Sequence, residues 1–261
     1  MTGPFSSADL ALARRIEAGH AHSAAASMPD VAVETIAGGQ AIFHQPGSAV
    51  TQAIGIGMHG PVDAADLDRL EAFFHSRGSD AVIDLSTLAD PGLTEMLRER
   101  QYMVREISHV LARRLDPAEN YAAALPIRIE QLAAGDFRAW ASLVMRGFAG
   151  YDDVPAEQIE MLSRSNPWPE SFFGVYDGAR CAAAAMDVHD GLATLFGDAT
   201  LAASRGRGLQ LALIRHRLAR AAQLGCDLAT ASVIPGSVSN RNYERAGFQL
   251  VYARVMLARA G

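Results

Sequence analysis

The segment LRERQYMVREISHVL, Leu97 to Leu111, is echoed by YERAGFQLVYARVML, Tyr243 to Leu257. Tyr102 falls on Phe248, and the apolar positions Val104, Val110 and Leu111 fall on Leu250, Met256 and Leu257. Upstream, Gly78 matches Gly225 with a shift of one residue, SDAVIDLS matches CDLATASV, and PVDAADLDRLEAFFHSRG matches GLQLALIRHRLARAAQLG. A helix-strand-helix-strand pattern that occurs twice constrains the fold strongly, because each copy must bury its own helices against its own strands. The echo predicts two related domains, 1–115 and 126–261, with a linker at 116–125 inside the joining stretch Arg113 to Pro126. The first copy is the diverged one.

The second half shows the pattern most clearly. IRIEQL alternates as a strand does, and GDFRAWASLVMRGF has helical periodicity. A polar, proline-bearing stretch from Tyr151 to Glu170 reads as loop. FFGVY, Asp177-Gly178 and ARCAAAAMDV predict a hairpin, since Asp-Gly supplies the positive φ angles of a tight turn. After His189-Asp190-Gly191 come a third run, LATLFGDATLA, then a helix ending near Gly225, the buried strand CDLATASV, the short helix SNRNYERAG and the strand FQLVYARVML. The order is β-α-β-β-β-α-β-α-β, an α/β chain.

Composition removes several function classes. The formal charge of −6 offers no basic excess for nucleic acid, and no apolar run approaches the roughly 18 residues of a membrane span. All 23 basic residues are arginine. With no lysine there is no Walker loop and no Schiff-base amine. HExxH, CxxC and GxSxG are absent, and the eight histidines show no ligand spacing, so no metal is expected. Cys181 and Cys226 are too few for a disulfide framework and read as packing residues. The N-terminus lacks the pattern of a secretory signal, which points to the cytoplasm.

The stretch SRGRGLQLALIRHRL, Ser204 to Leu218, is the most informative about function. A helix N-terminus carries unpaired amides and a partial positive charge, and so attracts anions. Gly206 and Gly208 let an oxygen approach the backbone, and Arg205 and Arg207 add charge. No acid occurs between Asp198 and Asp227. That combination suits a pyrophosphate.

Arg205-Gly206-Arg207-Gly208-Leu209, after a strand and before a helix, resembles the R/Q-x-x-G-x-G/A acyl-CoA loop of the GNAT superfamily of N-acetyltransferases. Asn242-Tyr243-Glu244-Arg245-Ala246-Gly247-Phe248 is similar to that family's Y-E-x-x-G-F segment. The element order from Ile127 to Leu257 is that of its domain, and the whole chain resembles a tandem GNAT protein with a degenerate first copy. The resemblance implies the GNAT fold twice: a mixed, mostly antiparallel sheet flanked by helices. It implies an acetyl-CoA-dependent N-acetyltransferase. The pyrophosphate of coenzyme A would lie on Arg205, Gly206, Arg207, Gly208, Leu209 and Gln210. The pantetheine arm would follow the strand Gly197 to Leu201, through Ala199, Thr200 and Leu201. Gly197 stands where neighbouring strands would part.

Two positions depart from the family pattern. The loop's last glycine is Gln210, whose side chain must point away from phosphate. The family's frequent asparagine falls on Gly236, leaving Ser237 or Asn240 to replace it, or to cap the helix that follows. The reaction implied is direct attack of an amine on the thioester. Tyr243 would protonate the leaving sulfur, or only pack against the sheet. Asp198 is the expected base, directly or through a water, or a solvated turn carboxylate; Glu170, His189 and Asp190 border the expected acceptor groove. Tyr151, Asp152, Asp153, Trp168 and Glu170 occupy the stretch that shapes the acceptor site, where carboxylates beside rings would suit a cationic amine. The acceptor would be a small-molecule amine or the terminal or side-chain amine of a peptide. A homodimer is compatible with the sequence.

Two other readings stand beside this one: an acyl-CoA sensor or scaffold without turnover, and a nicotinamide oxidoreductase. The latter rests on Gly55-Ile56-Gly57-Met58-His59-Gly60, a literal GxGxxG followed by Asp84 at the end of a later strand. Pro61 and the acids Asp63, Asp66 and Asp68 oppose a pyrophosphate there, so the segment reads as a phosphate site that the first copy has lost.

Overall fold

The computed structural model describes residues 9–121 and 127–261. The chain divides into two compact units, one of 1–111, 233–235 and 250–261, the other of 112–232 and 236–249. Residues 122–125 of the expected linker at 116–125 lie outside the described residues. The final strand belongs with the first unit.

The first unit contains α1 (Leu10–Ala26), β1 (Ala32–Ile36), β2 (Gly39–Phe43), β3 (Gln52–Ile54), α2 (Ala64–His75), β4 (Ala81–Ser86), α3 (Pro91–Glu99) and most of β5 (Met103–Arg114). The second contains β6 (Arg128–Gln131), α4 (Phe137–Ala149), α5 (Ala156–Ser163), β7 (Glu170–Tyr176), β8 (Ala179–His189), β9 (Leu192–Thr200), α6 (Leu209–Gln223), β10 (Leu228–Val233) and α7 (Val238–Arg245). The last strand, β11 (Gln249–Arg259), returns to the first unit, where it pairs antiparallel with β4. The strand order is β1-β2-β3-β4-β11-β5 in the first unit and β10-β9-β8-β7-β6 in the second.

Each unit has antiparallel pairs and a parallel pair, β3 with β4 and β9 with β10. Parallel neighbours require a crossover, supplied by α2 and by α6. The alanine-rich β8 explains how helices pack on both faces in the second unit. Ala183 and Ala185 join Trp140 and Val144 of α4, while Ala182 and Ala184 join Leu209 and Leu213 of α6. Side chains alternate across a strand, so a continuous run of small residues admits a helix on either side. Gly147 brings α4 closer still, because a β-carbon there would lie 2.7 Å from that of Ala199.

One element departs from expectation. The polar stretch from Tyr151 to Glu170 contains α5, which opens after Pro155 and has no buried residue. Proline is accommodated at a helix start, and a helix without a buried stripe leaves no apolar period to read.

Candidate functional site

β9 and β10 run in parallel register from Leu192–Leu228 to Leu195–Ala231, while β9 continues to Thr200. Just beyond the last rung the pairing of β9 with β8 shifts register between Ala183 and Ala185, so that Gly197 and Asp198 make a bulge. Gly197 has φ +69°, which glycine adopts freely, and a β-carbon there would touch Trp140 at 3.4 Å. β9 is therefore free of its parallel neighbour over the residues expected to carry pantetheine.

The turn from β9 into α6 passes through a 3-10 turn at Ala202–Ser204, then Gly206 at φ +75° and Gly208 at φ +79°. Gly208 is the N-cap of α6, with no side-chain cap and no acid in the first turn. The first helical amides and the positive end of the helix dipole are left to an outside acceptor.

The arginines serve this loop less directly than the sequence suggests. Arg205 donates from Nη2 to the Gly147 carbonyl at 2.8 Å, tying the loop to the last turn of α4. Arg207 stacks over Tyr176 at 4.8 Å and bonds its hydroxyl at 3.1 Å. Gln210 lies along α7, donating to Ser239 Oγ at 2.9 Å and accepting from Asn242 at 2.8 Å. Ser237 and Asn240 serve α7 itself. Ser237 Oγ caps the Asn240 amide at 3.0 Å, and the Asn240 side chain donates to Glu244 at 2.6 Å.

Asp198 and Tyr243 come together. The phenol donates to Asp198 Oδ2 at 2.6 Å, while Asp198 Oδ1 is paired with Arg217. The expected base and acid thus engage each other, and neither offers its functional oxygen elsewhere in this arrangement. Tyr243 is 1% exposed and meets Phe248 edge to face. Burial, then the Asp198 carboxylate, hold its hydroxyl well above the usual phenol range. Arg217 was missed from the sequence. Its signal was its position on the buried stripe of α6, with Leu213 and Ala221 one turn to either side.

The residues expected around an acceptor are dispersed. Glu170 makes a two-point pair with Arg220 at 2.8 and 2.9 Å, and Asp152 pairs with Arg146 at 2.6 Å. Tyr151 and Asp153 are exposed. His189 and Asp190, 3.3 Å apart, sit at the β8–β9 turn, the end of β9 opposite the glycine loop. Trp168 packs among Phe137, Trp140 and Phe196, and the buried indole nitrogens of Trp140 and Trp168 have no hydrogen-bond partner. Both cysteines are buried and neither is in a disulfide. Among the described residues no group of histidine, cysteine or acid could hold a metal, and no helix is long and apolar enough to cross a membrane.

The GxGxxG segment of the first unit is closed. The Gly57 amide bonds the Ala37 carbonyl at 3.2 Å, and a β-carbon on Gly57 would press on Val62 and Leu93. Asp84 is 6% exposed and lies 3.6 Å from Arg254, so it does not present itself to a ribose. The dinucleotide reading loses both its parts.

No family model and no curated protein matches this sequence. Solved structures do. A GCN5-related N-acetyltransferase from Kribbella flavida superposes with a TM-score of 0.71 at 21% identity, covering 96% of each chain. A tandem GNAT protein from the clavulanic acid biosynthesis pathway covers 99% of this chain and 98% of its own, with a TM-score of 0.59 at 13% identity. A GCN5-related N-acetyltransferase from Sphaerobacter thermophilus covers 69% of this chain and 60% of its own, with a TM-score of 0.55 at 18% identity. The chain has the GNAT fold, and along nearly its whole length it matches the tandem form of that fold.

Proposed function

We propose that the chain is an acetyl-CoA-dependent N-acetyltransferase in which the second of two domains, 126–261 with its last strand packed in the first unit, binds the donor, while the first domain, 1–115, has lost its site. One observation carries the reading. The helix that leaves the opening between β9 and β10 begins with two left-handed glycines and an uncapped, acid-free first turn. Pyrophosphate would lie on the amides from Arg205 to Gln210, with Arg205 holding the loop to α4 and Arg207 adding charge. Pantetheine would follow Ala199, Thr200 and Leu201. Ser237 and Asn240 contribute through the placement of α7.

Acetyl-CoA supplies an activated thioester. A neutral amine forms a C–N bond at its carbonyl, the C–S bond breaks, and the proton lost by nitrogen balances the one gained by sulfur. Backbone amides at the Gly197 bulge would polarise the carbonyl without reorganising. Asp198 and Tyr243 stand at that bulge as one hydrogen-bonded pair, the groups nearest the expected proton transfers. Two buried cysteines outside any disulfide fit a reducing, cytoplasmic setting.

The engagement of Asp198 and Tyr243 with each other favours one second reading, an acyl-CoA sensor without turnover. Release of free thiol from acetyl-CoA, measured against a panel of small amines and peptide N-termini, separates the two. Amine-dependent thiol release supports the transferase. Acetyl-CoA binding with no release above the blank supports the sensor, and absence of binding removes both.

A further inference from the structure

We infer that Arg217, Asp198 and Tyr243 form a positioning device that fixes the Gly197 bulge, and through it the backbone amides that would meet the thioester carbonyl. This inference rests on the acyltransferase reading. A bulge interrupts the ladder of its strand and leaves local carbonyls to find other donors. Here one guanidinium supplies them. Arg217 donates from Nη1 to the Ala185 carbonyl of β8 at 2.8 Å and to the Phe196 carbonyl of β9 at 3.2 Å. Its Nε bonds the Leu213 carbonyl at 3.2 Å, and its Nη2 pairs with Asp198. Ala185 and Phe196 face each other in the last rung before the bulge, and Asp198 is one of the two bulge residues that stand opposite the single Ala184, so the guanidinium joins that rung to the bulge itself.

The chemistry of the group explains why arginine stands there. A planar guanidinium holds several acceptors in one fixed geometry, which an ammonium cannot do. Arg217 is 0% exposed, and a buried charge is tolerated only when paired and hydrogen-bonded. Asp198 supplies the pair. Burial alone would make Arg217 easier to deprotonate, but Asp198 and Tyr243 together outweigh it and hold the guanidinium charged. Tyr243 closes the arrangement from α7 by donating to the other Asp198 oxygen. Four elements, α6, α7, β8 and β9, meet at the bulge through these three side chains. An amide aimed at a developing oxyanion needs this kind of rigid support.

Tyr243→Phe removes only the hydroxyl, and Asp198→Asn keeps the side-chain size while removing the charge. Each is read in two ways: the Gly197 amide resonance in glycine-labelled protein, and calorimetry with acetyl-CoA beside unacylated CoA. A positioning device predicts a shifted or broadened Gly197 resonance. It also predicts that acetyl-CoA loses about tenfold more affinity than CoA, the size of one hydrogen bond, because only acetyl-CoA carries the thioester carbonyl. Equal losses for both ligands, or an unmoved Gly197 resonance in both variants, would overturn the inference. Arg217→Lys retains charge without the fork and should reproduce the selective loss; behaviour like the wild type would overturn the role given to the fork. Failure of the wild type to bind either ligand is a separate result that removes the acyltransferase reading. The Gly197 resonance then decides alone whether the three side chains fix the bulge.

Discussion

Helices α2 and α6 each follow a strand whose parallel ladder is about to open, and their first turns are chemically opposed. The last rungs are Ile54–Asp84 before α2 and Leu195–Ala231 before α6. At α6 the N-cap is Gly208, uncapped and without an acid. At α2 the N-cap is Asp63, which accepts from the Asp66 amide at 2.9 Å while Asp66 accepts from the Asp63 amide at 3.4 Å. This reciprocal box satisfies the amides that would have held an anion, and its two carboxylates occupy the positive end of the dipole.

The openings differ as much as the helices. Where the second unit has Ala231, the first has Asp84, part of a buried charged group. Arg254 Nε donates to Glu17 Oε1 at 2.8 Å and lies 3.6 Å from Asp84, and Tyr252 donates to the same Glu17 oxygen at 2.5 Å. His20 Nδ1 stands 3.9 Å from Asp84 and is held neutral by burial and then by Arg254. The same topology thus carries an uncapped, acid-free helix start in one unit and a self-satisfied charged core in the other. One fold can carry different sites, and here the two units differ in the first turn of a helix and in one residue at the rung.

The largest expected effect is on the charged core. Arg254→Ala leaves Glu17, 3% exposed, without its charge partner, and should cost ~3–5 kcal/mol of stability by thermal or urea unfolding. Acetyl-CoA affinity of whatever protein remains folded should not change. A cost within error of zero would contradict this account of the Glu17–Arg254 pair.

Asp84 gives the next effect. Burial pushes its carboxyl up to about 6, against the pull of Arg254 and with Glu17 and Glu106 adding to the rise. An unfolded aspartate titrates near 3.8, so the folded state prefers the protonated form. The stabilisation is complete below that pH and is lost as pH rises through about 6, amounting to at most ~3 kcal/mol. Asp84→Asn should flatten this part of the stability profile between about pH 4 and 7; an unchanged profile would assign the dependence to another group.

The smallest effect sharpens the contrast between the helices. Asp63→Ala removes half of the capping box and should cost ~1 kcal/mol. No acetyl-CoA site should appear, because the Gly57 amide is already bonded and Asp84 still stands at the opening. A second equivalent of bound acetyl-CoA in this variant would contradict the account of the first unit.

The fold was legible where local pattern decides it. The alternating and alanine-rich strands, the Asp177-Gly178 turn and the glycine-rich start of α6 all read directly from the residues. The echo of SDAVIDLS in CDLATASV corresponds to β4 and β10, which occupy equivalent places beside the parallel partner in their units. α5 was invisible because no residue of it is buried. The charged cores were invisible for the opposite reason. Arg217 and Arg254 are fully buried, which their polarity argues against, and only the tertiary fold brings Asp198, Glu17 and Asp84 to them. The pairing of Asp198 with Tyr243 joins residues far apart in sequence, and no spacing rule reaches that distance.

The central claim is that the first turn of α6 holds the donor's pyrophosphate. Calorimetry of acetyl-CoA with the wild type, Gly208→Glu and Gly225→Glu tests it most directly. Gly225 has φ +81° and open space around its β-carbon position, so its substitution reproduces the backbone strain beyond the far end of α6. The account predicts binding by the wild type and Gly225→Glu, and a loss of at least ~100-fold in Gly208→Glu, about 3 kcal/mol. Equal affinity in all three proteins, or no binding by the wild type, would contradict it.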